Sequence, residues 1–159
     1  METRWLGRIS FSEALELQES LVTQRRDGQC EDTILFLEHE PVVTIGRTRD
    51  QSSLLNAKER DIEVVEINRG GQATYHGPGQ LVGYLVLDLA GYGKDLHALL
   101  RAIESALVAS CHDIGIRASI REGLTGVWVE NRKIASIGVG VRRWVSMHGF
   151  AINIAKACT

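Results

Sequence analysis

Two stretches of the chain carry apolar residues at helical spacing, and the remaining apolar positions fall in short blocks of strand length. Ser10-Phe11-Ser12-Glu13 fits a capping box, Phe11, Ala14, Leu15, Leu21 and Val22 follow on one face, and Asp27-Gly28 supplies a stop. The second pattern opens at Lys94-Asp95-Leu96 and sets Leu96, Leu99, Leu100, Ile103, Ala106, Leu107, Ser110, Cys111 and Ile114 on one stripe closed by Gly115. Lys94, Arg101, Glu104 and Asp113 read as its solvated side. A short surface helix is expected over residues 53–60.

Strands are expected over residues 33–38 and 42–45, separated by the His39-Glu40-Pro41 break, and over 62–67. Residues 82–89 are apolar on both faces, as in a strand covered on both sides. Further strands are expected at 116–120, 125–129, 133–141 and 143–147, with Glu130-Asn131-Arg132 as a tight turn. Helices among such strands predict an α+β fold, a mixed and mostly antiparallel β-sheet flanked by helices. No repeat, low-complexity run or linker interrupts residues 1–159, so one domain is expected.

One stretch fits neither period. Arg69-Gly70-Gly71-Gln72-Ala73-Thr74-Tyr75-His76-Gly77-Pro78-Gly79-Gln80 mixes glycines and a proline with polar side chains, a composition that forces turns and suits a substrate-binding loop, although a plain surface turn would have the same makeup. It lacks the Gly-Lys-Ser/Thr ending of a phosphate loop, and the run after it reads as a strand, so no nucleotide site is predicted.

Charge and composition narrow the classes. Eighteen basic against twenty acidic residues leave a formal charge of −2, no general field for nucleic acid or an anionic membrane. No run reaches the roughly 18 apolar residues of a membrane span, and Met1-Glu2-Thr3-Arg4-Trp5 lacks a secretion signal's apolar core, so a cytoplasmic location is expected. Cys30, Cys111 and Cys158 form neither a disulfide framework nor a Cys-x-x-Cys pair, and the five histidines never fall in helix-face ligand spacing, so no metal is predicted.

Lys133 opens Lys133-Ile134-Ala135-Ser136-Ile137-Gly138-Val139-Gly140, where small residues would let a ligand lie against the backbone; a solvated lysine beside a turn is the plainer reading. His148-Gly149-Phe150-Ala151 repeats a polar residue and glycine ahead of an apolar stretch, either a second wall of the same pocket or an ordinary strand start.

These blocks, together with Glu38-His39-Glu40-Pro41-Val42-Val43-Thr44-Ile45-Gly46, occur in the order found in the lipoyl(octanoyl) transferase family, which the chain resembles over most of its length. The resemblance implies the fold of the biotin and lipoate protein ligases without their adenylation chemistry. It implies transfer of an octanoyl group from acyl carrier protein to a lysine of a lipoyl domain, such as those of 2-oxoacid dehydrogenases or the glycine cleavage H protein. The route is a thioester on an enzyme cysteine, with no ATP and no cofactor. Lys133 matches the family's catalytic lysine, a cation or base beside the nucleophilic thiolate. Arg69, Gly70, Gly71, Gln72, Ala73, Thr74, Tyr75, His76, then Ser136, Ile137, Gly138, and Gly149, Phe150, Ala151 match its substrate-binding segments. Backbone N–H groups beside the glycines would serve the oxyanion. The family's Pro-Cys-Gly does not occur, and its role is not carried onto Cys158, which follows the His148 block too closely and lacks both neighbours. The expectation is therefore a truncated chain or natural fragment, with an inactive remnant that still binds the octanoyl or lipoyl group as the alternative. An ATP-dependent lipoate or biotin ligase is a third and weaker reading.

Overall fold

The computed structural model describes residues 1–46 and 62–155. The chain opens with a strand, β1 (Glu2–Ile9), and passes through Ser10 into α1 (Phe11–Arg26). The expected capping box is formed: the Glu13 amide donates to Ser10 Oγ at 3.2 Å and the Ser10 amide donates to Glu13 Oε2 at 3.1 Å. Phe11, Ala14, Gln18, Leu21 and Val22 make the buried face. Ser10→Ala removes the acceptor that satisfies an otherwise orphaned N–H, so a loss of about 1 kcal/mol is expected, read as a fall of roughly 2–4 °C in Tm by circular dichroism.

Five strands follow: β2 (Thr33–His39), β3 (Val42–Ile45), β4 (Glu63–Glu66), β5 (Thr74–His76) and β6 (Gln80–Val86). A single 3-10 turn at Leu89–Tyr92 leads to α2 (Leu96–Asp113), capped by Asp95, whose carboxylate accepts from the Ala98 amide at 3.0 Å. β7 (Val127–Val129), β8 (Arg132–Arg142) and β9 (Val145–Asn153) complete the described chain. Six strands form one sheet in the order β1-β2-β6-β9-β8-β7, and β4-β3-β5 form a second. Only β1/β2 and β3/β4 run parallel, so the fold is the expected mixed, mostly antiparallel α+β arrangement.

The two helices account for the double-sided apolar character of β6. Val82, Tyr84 and Val86 join Ala14, Leu21 and Val22 of α1 in one core cluster, while Leu85 joins Ile103, Leu107 and Cys111 of α2 in the other. Successive side chains of a strand point to opposite faces, so β6 needs apolar residues throughout. Each fully buried aliphatic side chain contributes about 1.5–3 kcal/mol, which fixes this strand as the spine of the domain.

Several expectations are corrected. The sequence reading contained no strand at β1, which pairs with β2 as a sheet edge. Residues 116–120 form no strand; Ser119 alone makes a bridge to Trp128, with both N–H···O distances at 2.8 Å. Arg143 and Trp144 are not strand residues but the two-residue turn between β8 and β9, with φ of 50° and 67° as a primed hairpin turn requires. Part of the glycine-rich stretch is strand after all, since Thr74–His76 pairs with β3. The helix expected at 53–60 lies outside the described residues. No described helix is long and apolar enough to cross a membrane.

Candidate functional site

A cleft of about 170 Å³ opens where the segment between β4 and β5 meets β8 and β9. The approach is backbone to backbone. A Cβ on Gly138 would stand 2.9 Å from Gly70 O and 3.1 Å from Arg69 Cδ, so only glycine lets the loop lie on β8 there. Gly138 is also the register partner of Gly149, which puts two residues without side chains next to each other across β8 and β9.

The sequence-predicted residues largely converge here. Arg69, Gly71, Gln72, Ala73, Thr74 and His76 contribute the loop side, Ser136, Ile137 and Gly138 come from β8, and Gly149, Phe150 and Ala151 come from β9, with Lys133 at the same cleft. Gly70 and Tyr75 do not line it. Gly70 lies behind the wall, its amide donating to Val139 O at 3.4 Å and its carbonyl accepting from Arg69. Tyr75 points the other way along β5 and is exposed. His148 takes the wall position rather than that of a plain strand start, and Phe11, Ile67 and Tyr84 complete the lining. Phe11 and Tyr84 carried only core signals in the sequence, and Ile67 only a strand signal.

Arg69 is the buried cation of the site. Its Nη2 donates to Thr44 O (3.1 Å), Thr44 Oγ1 (2.8 Å) and Thr74 Oγ1 (2.9 Å), and Nη1 donates to Gly70 O (2.9 Å). These acceptors are all neutral oxygens, so they fix the fork without cancelling its charge. Burial lowers the guanidinium from its ordinary value, opposed by Tyr84.

Around Arg69 the imidazoles are kept neutral. His76 is pushed down to about 3, chiefly by burial, with His39, Arg69 and His148 adding to the effect and the Gln80 hydrogen bond opposing it. Gln80 sets its tautomer. Gln80 Nε2 donates to Tyr75 O (3.2 Å) and Asn153 Oδ1 (2.9 Å), so Oε1 faces His76 Nδ1 at 2.7 Å and that nitrogen must carry the proton. His76 Nε2 is then an acceptor, 3.3 Å from Thr44 Oγ1. Behind them, His39 Nε2 and Tyr84 Oη are 2.6 Å apart; burial lowers His39 and raises Tyr84. His148, held at φ 60° inside β9 with its amide donating to Gln18 Oε1 at 2.8 Å, is pushed down to about 4 by burial and by Arg69.

Lys133 lies at the start of β8 with Nζ 5.2 Å from the Trp128 ring centroid. The residue is exposed, yet desolvation beside the cleft lowers its ammonium from the ordinary lysine value, and the Glu104 charge opposes this. Apolar walls from Ile67, Ile137, Phe150 and Ala151, with a fixed cation and a lysine among them, suit an aliphatic chain carrying a polar carbonyl head. Cys158 lies outside the described residues.

This architecture is that of the lipoate and biotin protein ligases. A lipoate-protein ligase A solved with bound ATP superposes with a TM-score of 0.73 over 96% of this chain and 67% of that one, at 20% identity. A bipartite lipoate protein ligase from Thermoplasma acidophilum gives 0.66 over 96% and 62%, at 22% identity. The lipoyl protein ligase A/B catalytic domain model matches residues 10–157, and the chain belongs to that family. Within it, the octanoyltransferase of Syntrophotalea carbinolica is 51% identical over 97% of this chain and 72% of that protein. The octanoyltransferase of Geobacter sulfurreducens is 51% identical over 95% and 63% respectively.

Proposed function

We infer that the chain is an acyltransferase that transfers an octanoyl group in lipoate synthesis. The observation that carries this is half identity to octanoyltransferases over nearly the whole chain, combined with a cleft assembled from the same sequence blocks that carry the family resemblance. The donor is octanoyl-acyl carrier protein and the acceptor a lysine of a lipoyl domain, which sets the reaction in the cytoplasm.

The family route runs through a cysteine thiolate that attacks the thioester carbonyl; neither Cys30 nor Cys111 lines the cleft and the role is not carried onto Cys158, so the nucleophile is not assigned to a described residue. On that route the carrier thiolate leaves with a proton and the acyl group rests as a thioester. The acceptor amine then attacks and gives up a proton, the amide forms, and the cysteine leaves as a thiol carrying that proton. Lys133 serves the thiolate as a neighbouring cation or proton acceptor; it reaches the Trp128 ring from an exposed position, and desolvation lowers its ammonium from the ordinary lysine value. Arg69, Thr74 and His76 order the loop against which the acyl chain lies, Gly71, Gln72 and Ala73 give that loop's backbone, and Gly70 and Tyr75 hold it from behind. Ser136, Ile137, Gly138, Gly149, Phe150 and Ala151 form the opposite wall, where backbone N–H groups receive the oxyanion.

The test is incubation with octanoyl-acyl carrier protein and a lipoyl domain, followed by intact-mass spectrometry. One hydroxylamine-labile octanoyl group on the protein and a stable one on the domain are expected, and Lys133→Met should slow transfer by about 10²-fold or more. Absence of both adducts overturns the assignment.

A further inference from the structure

Glu104 is almost completely buried, although its place on the polar side of α2 marks it as a surface residue. One carboxylate oxygen accepts from Arg101 Nη1 at 2.5 Å, and the other accepts from the Gly126 amide at 2.9 Å. A buried carboxylate is costly unless held for a reason, and half-exposed Arg101 matches its charge only in part. Gly126 supplies a second observation. It stands just before β7 with φ 136°, and a Cβ placed on it would lie 2.4 Å from Lys133 Cε and 3.1 Å from Lys133 Nζ. The Lys133 side chain therefore crosses the bare Cα of the very residue whose N–H Glu104 holds.

We propose that Glu104 is a positioning residue for Lys133: it fixes the Gly126 saddle that the lysine chain crosses and supplies the negative charge that holds its ammonium. Several groups among the described residues surround that ammonium. α2 presents Glu104 with Arg101 on its far side, and β7 presents the Trp128 ring. Arg121 lies 5.6 Å from the same ring, Arg132 is the neighbour on β8, and Arg69 stands across the cleft. Glu104 is the anion in this set, and it acts against the burial that favours the neutral amine. The Glu104 charge thereby favours the ammonium against the desolvation that lowers it from the ordinary lysine value. Its use in catalysis rests on the octanoyl-transfer reading; the positioning itself does not.

The chain has only four lysines, Lys58, Lys94, Lys133 and Lys156, so the ε-carbon signals of 13C-lysine-labelled protein can be titrated individually, with Lys133→Arg assigning the signal. Glu104→Gln keeps an oxygen for the Gly126 amide and removes the charge, and the Lys133 midpoint should move to lower pH while the other three stay in place. Arg101→Gln, at a half-exposed site, should move it to higher pH. Gly126→Ala should displace the chain and change the ring-current shift that Trp128 imposes on Lys133. An unmoved midpoint in Glu104→Gln overturns the inference, and if that variant does not fold, an unmoved midpoint in Arg101→Gln does so. The transfer assay is read separately: a shifted midpoint without transfer leaves the positioning intact and sinks the functional reading.

Discussion

Gly149→Ala is expected to destabilise the protein by about 3 kcal/mol or more, and so to lower Tm by roughly 6–12 °C. β9 lies between β6 and β8, and Gly149 is paired with Tyr84 on one side and Gly138 on the other. A Cβ there would stand 2.3 Å from Gly83 O and 2.5 Å from Leu85 Cδ1. The first obstacle is backbone in the central strand β6, which cannot give way without disturbing two hydrogen-bonded ladders at once. Relief by rotating the chain at His148 is also closed, since that residue already sits at φ 60° with its amide held by Gln18. Thermal denaturation followed by circular dichroism measures the loss. Because Gly149 also lines the cleft, octanoyl transfer at a temperature where the variant is still folded should fall further than the folded fraction alone predicts. A Tm within about 2 °C of the parent would show that β6 and β9 can separate there at little cost.

What the sequence disclosed and what it hid divide along physical lines. Both helices were legible because burial on one face leaves a repeating stripe and because Ser10 and Asp95 cap them locally. β6 was legible because two covered faces demand an unbroken apolar run. β1 was not: an edge strand covered by little else alternates between charged and half-exposed residues, and Trp5 remains 62% exposed, so neither period nor hydrophobicity marks it. The β8–β9 turn was hidden because Arg143 and Trp144 occupy positive φ, where Asn or Gly would have signalled a hairpin. In the cleft, glycine-rich backbone and its polar residues could be read from composition. The arrangement of His39, His76, Gln80 and Tyr84 could not, because it depends on which residues of β2, β3, β5 and β6 come to face one another, a matter of register between distant segments. Glu104 misled for a similar reason: helical periodicity put it in water, and the chain before β7 folds over it.

That register-built cluster sets the second large effect, which is on pH dependence. His76 and His148 have folded values of about 3 and about 4, against about 6.5 in an unfolded chain. A depressed histidine means that the unfolded state binds the proton first. Stability is therefore full above about pH 6.5 and falls as pH drops toward the folded values, with a slope of up to about 1.4 kcal/mol per pH unit for each imidazole. Both together should remove on the order of 4 kcal/mol between pH 6 and pH 4. His39, also lowered by burial, adds in the same direction. Burial raises and Arg25, the Asp88 amide and Tyr92 lower the Asp32 carboxyl, leaving it below its usual value, and Glu2, Glu13 and Asp27 are lowered by hydrogen bonds to Arg4, Ser10 and Arg26; their losses set in near and below their ordinary values, so the imidazoles dominate from about pH 6.5 down to about pH 5. Urea unfolding at half-unit steps of pH reads the slope directly, and His76→Gln should reduce it by about one proton. A flat profile through that window would mean that the histidines titrate normally in the folded state. They would then carry positive charge beside Arg69 under mildly acidic conditions, and the cleft would hold several cations rather than neutral imidazoles around a single buried guanidinium.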